Sequence, residues 1–202
     1  MKSPRLRRDA AHPTGFDFTL HIRKLADDMV RRLPELRHID LSRIAFGFSQ
    51  TRKAVDHGLH ASLTPLRFAG GSVDTVRGGR RWTVQRVVDQ SGREMLYLLT
   101  FYVPRFLNQE FRHKLTTVMH ELWHVSPRFD GDLRRFGGRC YAHGASQKQY
   151  DAQVDGLVDR WLSLDPPSSV YHFLRYDFRQ LTHRHGKVYG TRIRTPKLIP
   201  VE

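Results

Sequence analysis

The chain of 202 residues carries 34 lysines and arginines against 20 aspartates and glutamates, a formal net charge of +14. This length suits one domain, and 39% hydrophobic residues are too many for a disordered chain. A single cysteine, Cys140, excludes an intramolecular disulfide and a zinc ribbon built on four cysteines.

The beginning of the sequence predicts a loose basic arm over residues 1–15. Its basic residues are followed by Asp9-Ala10-Ala11-His12 rather than by the apolar core of a signal peptide. No apolar run approaches the roughly 20 residues that a membrane-spanning helix needs. We therefore expect a cytoplasmic protein without a membrane partner, with one domain over residues 16–182 and a basic tail over residues 183–202.

The first half of the domain predicts a helix followed by strands. Apolar residues recur at helical spacing over Phe18–Leu33, with Asp17 as N-cap and Pro34 as the stop. Alternating apolar residues predict a strand over Arg43–Ser49, and a weaker strand pattern covers His60–Phe68.

A β-hairpin is expected next. Its first strand would be Trp82–Val88, its turn residues 89–92 and its second strand Glu94–Val103. The second strand is almost continuously apolar, which is typical of a strand at the centre of a sheet.

Two long helices follow the hairpin. The first is expected from Asn108, as N-cap, to about Val125, and the second from Ser146 to about Leu162, with Ser146 and Gln149 forming a capping box. The remaining residues predict a short helix over Val170–Leu181 and an extended basic segment over Val188–Ile199.

The first long helix contains the motif His120-Glu121-Leu122-Trp123-His124. Because a helix advances 3.6 residues per turn, His120 and His124 lie on one face, where both imidazoles can bind one Zn²⁺. Zinc activates a bound water and polarises a carbonyl, while Glu121 passes the proton of the water to the leaving amine. The motif therefore predicts a zinc metallopeptidase. The alternative is a solvent-facing pair of histidines on an ordinary helix.

A catalytic zinc site normally has three protein ligands and one open position. His143 is the best third candidate, because the helix after it would return across the motif and Gly144 permits the turn. The competing candidates are two loop aspartates, two aspartates on the second long helix and two tail histidines: Asp130, Asp132, Asp151, Asp155, His183 and His185. The helix aspartates more often orient a ligand. The tail histidines alternate at strand spacing and suit a basic surface.

The HELWH motif, the proline-containing loop after it and the His143-Gly144 pair, followed by a helix with Tyr150 and Trp161, resemble the SprT-like metallopeptidases and related phage and bacterial metallopeptidases. The resemblance covers about residues 95 to 165. It implies an α+β fold with a zincin-like core: a small twisted mixed sheet, the HExxH helix and a closing C-terminal helix. It also implies zinc held by both motif histidines and His143, with the motif glutamate as base.

The positive charge gives a second line of prediction. Its clusters lie at the start, around the expected hairpin and in the tail: Arg5, Arg7 and Arg8; Arg77, Arg80, Arg81 and Arg86; and residues 184–197. SprT-like members include proteases that act on DNA-bound proteins, which would give this charge a use. Contact with DNA or another polyanion would rest on these arginines alone, because one cysteine cannot build the zinc ribbon of many such proteins.

Tyr141 and Tyr150 flank the expected third ligand. Either hydroxyl could stabilise an oxyanion, although a tyrosine packed in the core with a satisfied hydroxyl is commoner. We therefore expect a zinc-dependent peptidase acting on a protein or peptide, including nucleic-acid-associated proteins. The alternatives are a basic nucleic-acid-binding protein with a structural or inactive metal site, and a metal hydrolase that cleaves another bond.

Overall fold

The computed structural model describes residues 14–51, 58–135 and 147–201, which form a mixed α+β structure with five α-helices and three small sheets. The helices are α1 (Phe18–Arg32), α2 (Phe111–Trp123), α3 (Gln147–Ser163), α4 (Ser168–Tyr171) and α5 (Phe178–His185). The strands are β1 (Phe16–Asp17), β2 (Ile44–Gln50), β3 (Ala61–Pro65), β4 (Asp74–Arg77), β5 (Arg80–Val84), β6 (Tyr97–Val103), β7 (Val188–Tyr189) and β8 (Leu198–Pro200). Within these ranges no helix is both long enough and apolar enough to cross a membrane.

The main sheet has the order β2-β6-β3, so the prediction that β6 is central is confirmed. β6 runs parallel to β2 and antiparallel to β3, which makes the sheet mixed. On one face of β6, Tyr97, Leu99, Phe101 and Val103 are buried in the same core cluster as the apolar residues of α1 and α2. On the other face, Leu98 is buried against a smaller cluster that includes Val87 and Met95.

The prediction of α1 is also confirmed. The Asp17 side chain accepts a hydrogen bond from the backbone N–H of Leu20 at 3.0 Å, which caps the helix. The apolar stripe of Ile22, Leu25 and Met29 is buried, and the helix ends at Arg32, two residues before Pro34.

The predicted hairpin is wrong. β5 pairs with β4 through a turn of Gly78 and Gly79, whose φ angles of 56° and 72° suit glycine. The turn at residues 89–92 forms, but the segments on its two sides share only one isolated antiparallel β-bridge, between Val88 and Glu94, and no continuous ladder. Because β6 is apolar on both faces, pairing between β2 and β3 buries it more fully than pairing with the arginine-rich β5 would.

The start of α2 also differs from the prediction. The helix begins at Phe111 with Glu110 at the N-cap position, so Asn108 is not the cap. The Asn108 side chain instead accepts a hydrogen bond from the backbone N–H of Phe178 at 3.3 Å, and thereby links the approach to α2 with the start of α5.

The C-terminal part contains more regular structure than expected. The single helix predicted over residues 170–181 is two helices, α4 and α5, and the expected boundary between residues 182 and 183 falls inside α5. The extended segment contains β7, which pairs parallel with β1, and part of β8, which pairs with β5. α3 confirms the second long helix, while Ser146 of its capping box lies outside the described residues.

Candidate metal centre

The rotation of α2 about its axis is set by its apolar face. Leu115, Val118, Met119 and Leu122 are fully buried. Because these residues must face the core, His120 lies on the flank of the helix and remains partly exposed. The same packing therefore fixes which way the motif faces.

His120 and His124 face each other, as their spacing predicts. Their Nε2 atoms are 2.9 Å apart. Two imidazole nitrogens on one tetrahedral zinc are about 3.3 Å apart, given Zn–N distances of about 2.0–2.1 Å. The two Nε2 atoms would thus have to move only slightly apart for both to bind one zinc ion. Without a metal, the same contact is a hydrogen bond from one ring to the other.

Tyr150 on α3 packs against both imidazoles, with its ring centroid 5.4 Å from that of His124 and 5.0 Å from that of His120. Its hydroxyl oxygen is 3.3 Å from His124 Nδ1 and 3.4 Å from the carbonyl oxygen of His120, and the Tyr150 and His124 rings stack at 27°. Burial raises the pKa of Tyr150 well above its ordinary value, so its hydroxyl stays protonated. The O–H can donate to the His120 carbonyl while accepting the Nδ1–H of His124. In this tautomer Nε2 carries a lone pair, which is what a metal ion would bind.

Glu121 is 8% exposed. Burial raises the pKa of its carboxyl to about 7, opposed by a hydrogen bond with the backbone of Leu63 on β3. Within the described residues no lysine or arginine forms an ion pair with it. A carboxyl with such a pKa can both accept and release a proton near neutral pH.

The two loop aspartates are engaged in contacts within their loop and, for Asp132, with the turn at residues 69–71. Asp132 accepts hydrogen bonds from the amides of Gly70 and Leu133 and from both Nε and a terminal nitrogen of Arg135. Burial opposes ionisation, but these bonds outweigh it and hold the pKa of Asp132 below its usual value. Asp130 accepts the amide of Asp132 and pairs with Arg128.

The remaining competitors lie on helices. Asp155 on α3 accepts the Thr116 hydroxyl at 2.9 Å, and Asp151 is exposed. His183 and His185 belong to α5, so their expected strand spacing is wrong. The described residues contain no group of three metal-binding side chains. The predicted third ligand His143 and the predicted Tyr141 lie outside them.

Two contacts at this site were not predicted from the sequence. The backbone of Leu63 reaches Glu121 because β3 lies beside α2. Arg134 caps the end of α2: its backbone N–H donates to the His124 carbonyl and its Nε to the Trp123 carbonyl, with the guanidinium 3.7 Å over the Trp123 ring. The weak strand pattern near Leu63 was a usable signal, whereas nothing local distinguishes Arg134 from other arginines.

Comparison of the chain with protein-family models, with curated proteins and with solved structures finds no significant match. Any function must therefore be argued from the residues and their geometry.

Proposed function

We propose that this chain is a zinc-dependent peptidase with a zincin-like core, in which α2 carries the active site. The observation that supports this most strongly is the approach of His120 Nε2 to His124 Nε2 at 2.9 Å beside the buried carboxyl of Glu121. A merely structural histidine pair gives no reason to bury an acidic side chain that has no basic partner among the described residues, since such burial costs free energy.

The proposed ligands are His120, His124 and, from the sequence, His143. Zinc at this position supplies a Lewis acid and a water of lowered pKa. Glu121 takes the proton from the attacking water and delivers it to the leaving amine nitrogen. Tyr150 keeps the His124 ring in the orientation that directs Nε2 at the metal.

A polypeptide substrate is favoured by the position of β3. This strand lies at one edge of the main sheet, and its Leu63 contacts Glu121 through the backbone. An extended peptide can bind to such an edge by adding a strand. That arrangement would bring a peptide carbonyl beside the motif. A metal hydrolase that used the same activated water to cleave another kind of bond would make no use of the β3 edge.

The other candidate is a basic nucleic-acid-binding protein with a structural or inactive metal site. It accounts for the net charge of +14 but not for the buried Glu121. Polyanion binding is compatible with a peptidase, so the charge does not decide between the two candidates.

The first prediction concerns Glu121→Gln. The purified variant should retain one zinc per chain, because the imidazoles are unchanged, while casein cleavage falls by at least about 10²-fold since the proton acceptor is lost. Metal content is measured by mass spectrometry and cleavage by peptide release.

The matched control is Glu110→Gln, which removes an exposed carboxylate from the start of the same helix. It should keep both zinc and activity. Wild-type protein without stoichiometric zinc after purification in zinc, or undiminished cleavage by the Glu121→Gln protein, would contradict the proposal.

A further inference from the structure

The sheet of β4, β5 and β8 is separate from the hydrophobic core. Of its strand residues, only Val84 packs against a core cluster. Seven large hydrophobic side chains are exposed in the described residues, and four lie on this sheet or directly beside it: Val73, Val76, Leu198 and Val201. The sheet therefore presents side chains to solvent instead of covering the core, which is typical of an interaction surface.

One face of this sheet carries two arginines at paired positions. The register sets Arg77 opposite Arg80, and both are exposed. Like charges at paired positions destabilise a sheet. Neither arginine forms an ion pair with a carboxylate in the parts of the chain that are described, whereas Arg81 on the opposite face pairs with Asp74 at 2.5 Å. An anion bound between Arg77 and Arg80 would relieve this repulsion.

Trp82 lies on the same face, two residues after Arg80. The other two tryptophans, Trp123 and Trp161, are 5% and 0% exposed and belong to the core. Trp82 belongs to neither core cluster and is partly exposed. Its Nε1 donates to the Arg77 carbonyl at 3.3 Å, which holds the indole beside the arginines.

We propose that this Arg-Trp face, formed by Arg77, Arg80 and Trp82, binds single-stranded nucleic acid. The guanidinium groups would contact phosphates, and the indole would stack on a base. A duplex is disfavoured because its base faces are already stacked. An acidic polypeptide would satisfy the arginines but offers no base to the indole. The net charge of +14 adds a long-range attraction for the same partner.

The test measures binding of the full chain to a fluorescently labelled oligothymidylate of about 20 nucleotides by anisotropy, over a salt series. The double variant Arg77→Ala/Arg80→Ala should weaken binding at least tenfold. The salt slope should decrease in magnitude by about 1.4, since each single-strand phosphate contact contributes about 0.7. The control pair Arg37→Ala/Arg179→Ala removes two exposed arginines elsewhere and should change affinity less than about twofold.

Trp82 provides an independent measurement. Trp82→Ala should weaken binding about tenfold with no change in salt slope, because stacking does not involve phosphate, while Trp82→Phe retains most of the affinity. Thermal unfolding checks that each variant is folded. Equal binding by the Arg77→Ala/Arg80→Ala protein and the control pair would overturn the proposal. So would equally tight binding of a 20-base-pair duplex, or equal competition by polyglutamate.

This surface does not depend on the zinc site. The Glu121→Gln protein should bind the oligonucleotide as the wild type does, and the Arg77→Ala/Arg80→Ala protein should keep its zinc and its cleavage of casein. The two proposals therefore fail separately. Undiminished cleavage by the Glu121→Gln protein contradicts only the peptidase, and undiminished binding by the Arg77→Ala/Arg80→Ala protein contradicts only the Arg-Trp face.

Discussion

At the scale of single residues, the proposed site combines two groups whose neutral, protonated form is favoured by burial. Glu121 is buried, so its pKa is raised to about 7, and Tyr150 is buried against the imidazole of His124. The motif residues could be predicted from the sequence because helical spacing alone aligns His120 with His124. The role of Tyr150 could not be chosen in advance, since only the packing of α3 on α2 places its hydroxyl at Nδ1 rather than beside Nε2.

The second prediction concerns Tyr150→Phe. Zinc affinity should fall about 10- to 100-fold, because the variant cannot hold the Nδ1–H of His124. Competition with a chromophoric chelator measures this affinity. The control Tyr171→Phe removes a hydroxyl from a ring that packs on Trp161, away from the motif, and should leave zinc affinity unchanged. Wild-type zinc affinity in the Tyr150→Phe protein would contradict a positioning role.

At the scale of elements, the regular segments were easier to predict than their partners. α1 and β6 follow from periodicity and apolar content, which are local properties. The sequence does not show whether β5 pairs with the strand before it or with the strand after it, because a turn lies on each side of β5, at residues 78–79 and 89–92. Which strand pairs with β5 depends on how β6 is buried, and the burial of β6 depends on the whole sheet.

Contacts between elements also give a pH-dependent prediction. The hydroxyl of Tyr97 on β6 donates to the Asp132 carbonyl at 2.8 Å and accepts the Gly131 amide at 3.0 Å. Burial raises the pKa of Tyr97 to about 12. The folded protein thus holds this proton more tightly than the unfolded chain. The resulting stability is complete below pH 10 and is lost as pH rises through 12, by at most about 3 kcal/mol.

Tyr97→Phe should lower the free energy of unfolding by about 1–2 kcal/mol at pH 9, with a smaller difference from wild type at pH 11.5. Urea titrations at both pH values measure this. The control Tyr102→Phe changes another tyrosine of β6, whose hydroxyl contacts Ser62 on β3, and should cost less than about 1 kcal/mol at pH 9. A difference for Tyr97→Phe that does not shrink with pH would show that the Tyr97 proton is not held more tightly in the fold.

At the scale of the whole molecule, the two proposed functions lie in different parts of the fold. The proposed metal centre is formed by α2, which packs on β3 of the main sheet, and by α3, which packs on α2, whereas the Arg-Trp face is on the small sheet. The net charge predicted a polyanionic partner without locating it. The proposal of the Arg-Trp face depends on the register that places Arg77 opposite Arg80, which a hairpin with its turn at residues 89–92 does not predict.

Metal removal gives the last prediction. Zinc at about 100 times its dissociation constant should stabilise the fold by about 2.7 kcal/mol, since the metal binds the folded chain. For a chain of this length, the midpoint of thermal unfolding should then fall by about 5–10 °C in excess chelator and recover on adding zinc. His120→Ala should show no such shift. A wild-type midpoint that is indifferent to chelator would contradict zinc binding.

The parallel pairing of β1 with β7 has a consequence for synthesis of the chain. Phe16 lies opposite Val188, and its backbone N–H donates to the carbonyl of Lys187. A ribosome therefore adds most of the chain between these two partners. The motif helix and the main sheet leave the ribosome before β7 does. β1 therefore has no strand partner until β7 has been synthesised. The pairing of β1 with β7 therefore joins an early segment of the chain to a late one, as does the pairing of β5 with β8.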